Sequence, residues 1–374
     1  MRVVVAPDKF KGSLTAPEAA EAIARGLRAA QPDCDVLLVP MADGGEGTVE
    51  AFLAGGAQER RARVRGPLGD PVEARYARSG DLAVIEMSSA SGLSLLSKDR
   101  YDPIRANTYG TGELIAAAAR GGASRCIVGI GGSATVDVGT GMLRALGVRF
   151  LDASGAEITG PMSAYEHLAR IDIDRLDEPV RAMAIAVASD VENPLTGDDG
   201  AARVFGPQKG ASEEDVAVLE RVASQIADVT AKTIGRDLRN MPGAGAAGGL
   251  GFALAAFLNA RIERGALLVG KERGLDRALR GADLCATGEG KIDMQTLEGK
   301  TVAGVAEMAK DAGVRVVAFG GVVDAKAAAA FAQRGVDTVE TAHGIALDEA
   351  LRRAAELLER AARDYGTVAR EARR

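Results

Sequence analysis

CIVGIGGSATVDVGTGMLRALG, residues 126–147, is the stretch from which the fold is read. Cys126, Ile127 and Val128 form a short apolar run. Gly129, Gly131, Gly132 and Ser133 follow, then Asp137, Gly139 and Gly141, and the segment ends in Met142-Leu143-Arg144-Ala145-Leu146. That order is the signature of a buried strand, a glycine-rich turn and a helix start. Glycines let the backbone approach a ligand closely, and the N–H groups at a helix N-terminus attract anions. The stretch therefore predicts an anion site, with phosphate the first candidate. A tight turn without a ligand uses the same residues, and one glycine-rich turn is weak evidence taken alone.

The same grammar recurs along the chain. Residues 2–5 read as a strand, followed by the loop Ala6-Pro7-Asp8-Lys9-Phe10-Lys11-Gly12-Ser13 and a helix opened by the capping pattern Thr15-x-x-Glu18. A strand at 36–39 runs into Asp43-Gly44-Gly45-Glu46-Gly47. Residues 60–88 read as short antiparallel strands broken by Gly66-Pro67, Gly69-Asp70-Pro71 and Ser79-Gly80. The run 182–188 ends in Ser189-Asp190-Val191-Glu192-Asn193-Pro194. Ser212 and Asp215 open a long helix to about Ile234. A strand at 283–286 is expected to turn at once into Thr287-Gly288-Glu289-Gly290-Lys291-Ile292-Asp293, and an amphipathic helix is expected from Leu347 to about Arg363. Strands alternating with helices define an α/β fold. Both ends carry strand–turn–helix units. The expected domains are therefore 1–85 plus 285–374, with 86–284 as a second α/β domain and the ligand site in the crevice between them.

Composition excludes several classes. The 374 residues are 47% hydrophobic and 26% charged, with a formal net charge of -6. An acidic chain with scattered Lys and Arg is a poor nucleic-acid binder, and no apolar run reaches the roughly 18 residues a membrane span requires. The N-terminal apolar run is too short for a signal peptide. Cys34, Cys126 and Cys285 match no metal or redox spacing, and His167 and His343 are isolated, which favours a reducing cytoplasm.

Acids collect where strands end: Asp8 beside Lys9 and Lys11, Asp43 with Glu46, Asp137, Asp190 with Asn193, and Glu289 with Asp293. Mg²⁺ uses one or two protein carboxylates together with phosphate oxygens and water. A carboxylate can also accept a hydroxyl proton, and lysines balance phosphate charge, which completes the parts needed for phosphoryl transfer. Each acid taken singly fits a turn or cap equally well. A full P-loop is absent: Gly299-Lys300-Thr301 supplies its end, but Met294 occupies the place of its first glycine. Gly129, Gly131 and Ala134, with Asp152 further on, partly satisfy a dinucleotide fingerprint, so an NAD-dependent dehydrogenase of a small hydroxy acid is the alternative enzyme. A non-catalytic metabolite-binding regulator is the third reading.

The chain closely resembles the bacterial glycerate kinases of the first type. The resemblance is carried by APDKFKGSLTA (6–16), PMADGGEGT (40–48), TYGTGELI (108–115), GIGGSATVDVGTGMLRALG (129–147), SDVENPLTG (189–197), VFGPQKGA (204–211), GAAGGLG (245–251) and TGEGKIDMQTLEGK (287–300). It implies ATP-dependent phosphorylation of D-glycerate to 2-phosphoglycerate with Mg²⁺. It also implies a discontinuous Rossmann- or flavodoxin-like domain with a second α/β domain inserted. The roles expected on this basis are as follows. Gly131, Gly132 and Ser133 cradle phosphates, and Lys9 and Lys11 neutralise triphosphate or substrate charge. Ser13, Lys209 and Gly288 contact substrate or phosphate. Asp190 leads in binding Mg²⁺, with Asp137 or Glu289 assisting, and Asp293 or Asp43 orients or deprotonates the attacking hydroxyl. Expected partners are D-glycerate and ATP, no nucleic acid, no membrane, and at most a second copy of the chain in a homodimer.

Overall fold

The computed structural model describes residues 1–371. The chain divides into two compact units. The first holds Met1–Asp43, Glu50–Ala57 and the residues from Arg264 onward, and the second holds Gly44–Val49 and Gln58–Glu263.

The first unit is built on a five-stranded, all-parallel sheet in the order Val336–Glu340, Arg315–Val323, Leu284–Ile292, Arg2–Val5, Asp35–Leu38. Renumbered within the unit, this is the order 2-1-3-4-5 of the flavodoxin-like sheets. Val3, Val4 and Val5 are fully buried, as parallel strands covered on both faces must be. The helix Ala16–Ala30 starts at the predicted box: Glu18 N–H donates to Thr15 Oγ1 at 3.3 Å, and Thr15 N–H donates to Glu18 Oε2 at 2.8 Å. Its apolar face packs against the helix Ala354–Glu371, where Gly26 lies so close that a Cβ would sit 2.2 Å from the Glu359 carbonyl oxygen. The C-terminal helix expected from Leu347 is two helices, Leu347–Arg352 and Ala354–Glu371.

Residues 287–292 differ from the expected turn. They continue the strand Leu284–Ile292, paired through Ile292 with Val323. Glycines make this pairing fit. A Cβ on Gly288 would stand 2.3 Å from the Phe319 carbonyl oxygen, and one on Gly321 would stand 2.6 Å from that of Gly290.

The second unit has a six-stranded sheet in the order Arg261–Glu263, Ala184–Ala188, Arg125–Gly129, Leu82–Glu86, Pro71–Ser79, Gln58–Arg65. The first four strands run parallel and the last two form an antiparallel meander. Residues 58–85, expected in the domain with the chain ends, thus belong to this second sheet, because Leu82–Glu86 pairs in parallel with Arg125–Gly129. The long helix Glu213–Ile234 begins at the predicted Ser212–Asp215 box and ends on Gly235 in the left-handed region. One helix, Ala246–Leu258, contains left-handed residues Ala247, Gly248 and Gly249 near its start. There the backbone abuts residues 135–138: a Cβ on Gly248 would lie 2.0 Å from the Thr135 carbonyl oxygen, and Val138 N–H donates to Gly248 O at 2.9 Å. Val138 itself has a φ of 52°, a strained value for a β-branched residue. Such strain concentrates where surrounding structure over-determines the backbone.

Candidate active site

In the first unit the strand order reverses between Arg2–Val5 and Leu284–Ile292, the place where open α/β sheets bind ligands. Asp8, at the end of the first strand, is buried there. Its N–H donates to Gly288 O at 2.9 Å, and its carboxylate accepts from Lys9 N–H at 2.6 Å and from the Thr301 hydroxyl. Burial, with the negative charge of Asp43 and more weakly Glu289, pushes its carboxyl up to about 8 against the bonds from Thr301 and Lys9. Glu289, one residue past Gly288, is also pushed up, to about 7. Burial is the main cause, opposed by Thr296 and Lys300 and reinforced by Asp43 and Asp293. Glu289 Oε1 is buried without a hydrogen-bond partner among the described residues. Asp8, Asp43 and Glu289 therefore form one electrostatically linked acidic group, with Lys300 and Thr301 at the start of the helix Thr301–Asp311 beside it. Among the described residues, no three His, Cys, Asp or Glu side chains converge into a ready-made metal cage.

The other candidates of this unit fall outside that group or serve the backbone. Asp293 caps the turn Met294–Glu298, accepting from Gln295 N–H at 3.0 Å and pairing with Lys291 at 3.2 Å. Burial raises its pKa, but Lys291, the Gln295 N–H and Lys300 outweigh it and hold the carboxyl below its ordinary value, which makes it a weak base. Gly288 is needed for close strand approach, a packing reason that replaces substrate contact. The Ser13 hydroxyl donates to Phe10 O at 3.0 Å within its own turn. Lys9 is half-buried and Lys11 exposed. Met294 is 49% exposed and takes no place in the core.

In the second unit the parallel strands bring Glu86, Gly129 and Ala188 to neighbouring positions through their register. The turn Gly131-Gly132-Ser133 and Asp190 thus project from adjacent strand ends. Gly132 is exposed with a φ of 74°, and its carbonyl accepts from Leu93 N–H at 3.0 Å. The N–H groups of Gly132 and Ser133 meet no protein acceptor among the described residues, whereas that of Gly131 reaches Gly44 O at 3.5 Å. Glu86 Oε1 accepts from Gly47 N–H at 3.0 Å and Val49 N–H at 2.7 Å, tying down the glycine-rich 44–47 loop.

Lys209 is buried beneath this turn. Its Nζ donates to Ser133 Oγ at 2.6 Å and to Thr135 O at 2.7 Å, so it shapes the turn from below rather than offering a surface charge. Burial pushes its ammonium down to about 7, against the pull of Asp137. The unfolded lysine holds its proton to a higher pH, so the unfolded chain binds more protons between about 7 and the ordinary lysine value of 10.5. Stability from this group is therefore full above that window and is lost as pH falls through about 7. Lys209→Met is expected to abolish this pH dependence and, by freeing the glycine turn, to raise KM more than it lowers kcat. Urea melts at pH about 6.5 and about 9, with paired kinetics, check both.

Asp137 corrects its expected metal role. It is 1% exposed. Its carboxylate accepts from Thr108 N–H and Thr108 Oγ1, each at 2.8 Å, from Gly141 N–H at 3.0 Å and from Gly139 N–H at 3.2 Å. Those donors occupy it as a buried cap of the helix Thr140–Ala145. Thr108 closes the network by accepting from Met142 N–H at 2.9 Å. Asp152 is likewise a turn former, accepting from Ser154 N–H at 2.8 Å and Ala156 N–H at 3.0 Å, so it does not supply the ribose-binding acid of a dinucleotide site. Asp190 is half-buried two residues past its strand. Asn193 turns its amide to Asp199 O at 2.9 Å.

From the sequence Asp8 is only one of several strand-end acids, and Lys300 and Thr108 carry no role in the site. The signal for Asp8 was present: an unbroken apolar strand running straight into Pro7-Asp8.

A flavodoxin-like unit with an acidic switch point, and a second α/β unit with a lysine-backed glycine turn, define a phosphotransferase-type enzyme. The family model described as the glycerate kinase family matches residues 3–370. The chain is 46% identical over 369 residues to a glycerate kinase of Bacillus subtilis (strain 168), covering 97% of this chain and 96% of that one. It is 46% identical over 375 residues to a glycerate 2-kinase of Escherichia coli (strain K12), covering 98% of each. A crystal structure of a protein assigned as glycerate kinase 2 from Salmonella typhimurium LT2 superposes with a TM-score of 0.89 at 42% identity, over 100% of this chain and 99% of that one. This chain belongs to the glycerate kinase family. Nothing in these similarities supports the hydride-transfer or non-catalytic alternatives.

Proposed function

We propose that the chain transfers the γ-phosphoryl group of ATP to the 2-hydroxyl of D-glycerate in a Mg²⁺-dependent reaction. The observation that carries this reading is full-length similarity to a relative named glycerate 2-kinase. The acidic group supports the need for a divalent cation. Burial and the negative charge of Asp43 hold the Asp8 carboxyl with a raised pKa, so a cation bound at Asp8 and Asp43 would relieve that cost. Mg²⁺ takes only one or two carboxylates when phosphates complete its shell, so it needs no closed cage of protein ligands. When bound, the ion would neutralise charge on the phosphoryl oxygens.

In this reading Asp8 and Asp43 hold the metal, and Glu289 accepts the hydroxyl proton, since a base with a pKa near the working pH transfers protons most effectively. The Gly132 and Ser133 N–H groups take phosphate oxygens, and Lys209 fixes their direction. Lys9 and Lys11 balance the remaining negative charge. Asp190 is retained as the candidate metal ligand of the second unit. Asp190→Asn is expected to lower kcat by roughly 10²–10³ with an unchanged thermal midpoint. Wild-type turnover with a lowered midpoint would make Asp190 a turn former instead.

The three free thiols suit a reducing compartment, taken here as the cytoplasm. No helix among the described residues is long and apolar enough to cross a membrane. An ADP-release assay with D-glycerate, repeated after chelation of Mg²⁺, tests the activity. Phosphorus NMR of the product assigns the hydroxyl. Turnover that survives chelation, or a 3-phosphoglycerate product, would overturn the corresponding part of the proposal.

A further inference from the structure

A cavity of about 400 Å³ lies in the first unit away from the switch point, lined by Arg2, Arg273 and Arg277 with Leu37, Val39 and Ala278 among its apolar walls. None of the three guanidinium groups forms an ion pair with a carboxylate among the described residues. Arg2 and Arg273 each bury an Nε that has no hydrogen-bond partner among the described residues. A buried donor left unpaired is costly, and such groups in native structures call for an unseen partner. The nearby acids are already engaged. Asp276 pairs with Arg280 at 3.8 Å, and Asp283 accepts from the backbone N–H of Arg2 at 2.7 Å.

The backbone is shaped to leave room for these arginines. A Cβ on Gly55 would lie 1.3 Å from Arg273 Nη1, and one on Gly274 would lie 2.7 Å from Arg277 Nη2. The Arg273 guanidinium also stands 5.9 Å from the centre of the Phe52 ring, which holds it in place. Arg2 Nη1 donates to the Arg280 carbonyl oxygen at 3.3 Å, but no carboxylate among the described residues balances the three charges, and such a cluster is unfavourable unless an anion joins it. Guanidinium forks match the oxygens of phosphate, and the apolar wall suits a carbon body attached to it.

We propose that this cavity is an anion-binding site for a small organic phosphate, held by the guanidinium groups of Arg2, Arg273 and Arg277. The site is independent of the phosphoryl-transfer reading, since none of its residues belongs to the acidic group or the glycine turn.

Calorimetric titration with phenyl phosphate and inorganic phosphate, at constant ionic strength in chloride, tests the proposal on the intact chain. Phenyl phosphate should bind more tightly than inorganic phosphate. Arg277→Gln and Arg273→Gln should each weaken that binding by about tenfold or more, as expected for lost charge-assisted hydrogen bonds. Gly55→Ala, which displaces the Arg273 guanidinium, should do the same. Benzoate, offering a carboxylate on the same ring, should bind more weakly than phenyl phosphate. Arg277 is exposed, so Arg277→Gln decides the matter if a variant at position 273 fails to fold. Equal phenyl phosphate affinity in wild type and Arg277→Gln, the absence of binding at millimolar concentration, or benzoate binding as tightly as phenyl phosphate would each overturn it.

Discussion

Replacing Glu289 by glutamine is expected to lower kcat by about 10²–10⁴, the usual contribution of a positioned acid–base group. KM for glycerate should change little, because glutamine keeps the shape of the side chain. The argument starts from the strand. Gly288 brings Leu284–Ile292 against Arg315–Val323, and the next residue, Glu289, pairs with Gly320. Burial, together with Asp43 and Asp293, then opposes ionisation and moves the carboxyl up to about 7. The unfolded carboxyl ionises near 4.5, so the folded chain holds an extra proton between 4.5 and about 7. That group's stabilising contribution is full below the lower value and is lost as pH rises through the upper one. Glu289→Gln removes the titration, so its thermal midpoint should match or exceed that of wild type above neutral pH. Wild-type turnover in a variant with this flattened stability profile would remove Glu289 from the chemistry while keeping its burial.

Asp137→Ala is expected to reduce the unfolding free energy by about 3–5 kcal/mol, because each buried donor left without an acceptor costs about 1–3 kcal/mol. The variant strands the N–H groups of Thr108, Gly139 and Gly141 and the Thr108 hydroxyl inside the core of the second unit. Lys209 also loses the nearby negative charge that favours its ammonium. Asp137→Asn retains the shape but places an amide NH₂ among donors, so an intermediate loss is expected. Chemical denaturation measures both. If Asp137 instead held metal, Asp137→Asn would fold with wild-type stability and lose only its response to Mg²⁺.

Much of this protein was legible one segment at a time. Thr15 with Glu18 and Ser212 with Asp215 start their helices as the local chemistry dictates, since a cap needs only residues three apart. The strand at residues 2–5 and the glycine turn after Cys126 are likewise local patterns, and the motifs spread along the chain are those of the glycerate kinase family to which it belongs. Local pattern also placed acids at strand ends, but it could not say which acids meet. Asp8, Asp43 and Glu289 come together only because Arg2–Val5 lies beside both Leu284–Ile292 and Asp35–Leu38 in the sheet. Asp137 looked like the others in sequence, yet its carboxylate is consumed by donors that include Thr108, 29 residues away. Gly288 read as a ligand-binding glycine, but its missing side chain admits the Phe319 carbonyl. Residues 60–88 carry a strand pattern that suits either sheet, and parallel pairing of Leu82–Glu86 with Arg125–Gly129 assigns those strands to the second. Caps and periodicity are set within a few residues, so the sequence determines them. Sheet order, burial and the desolvation that moves a pKa depend on neighbours distant in the chain, so only the tertiary structure decides them.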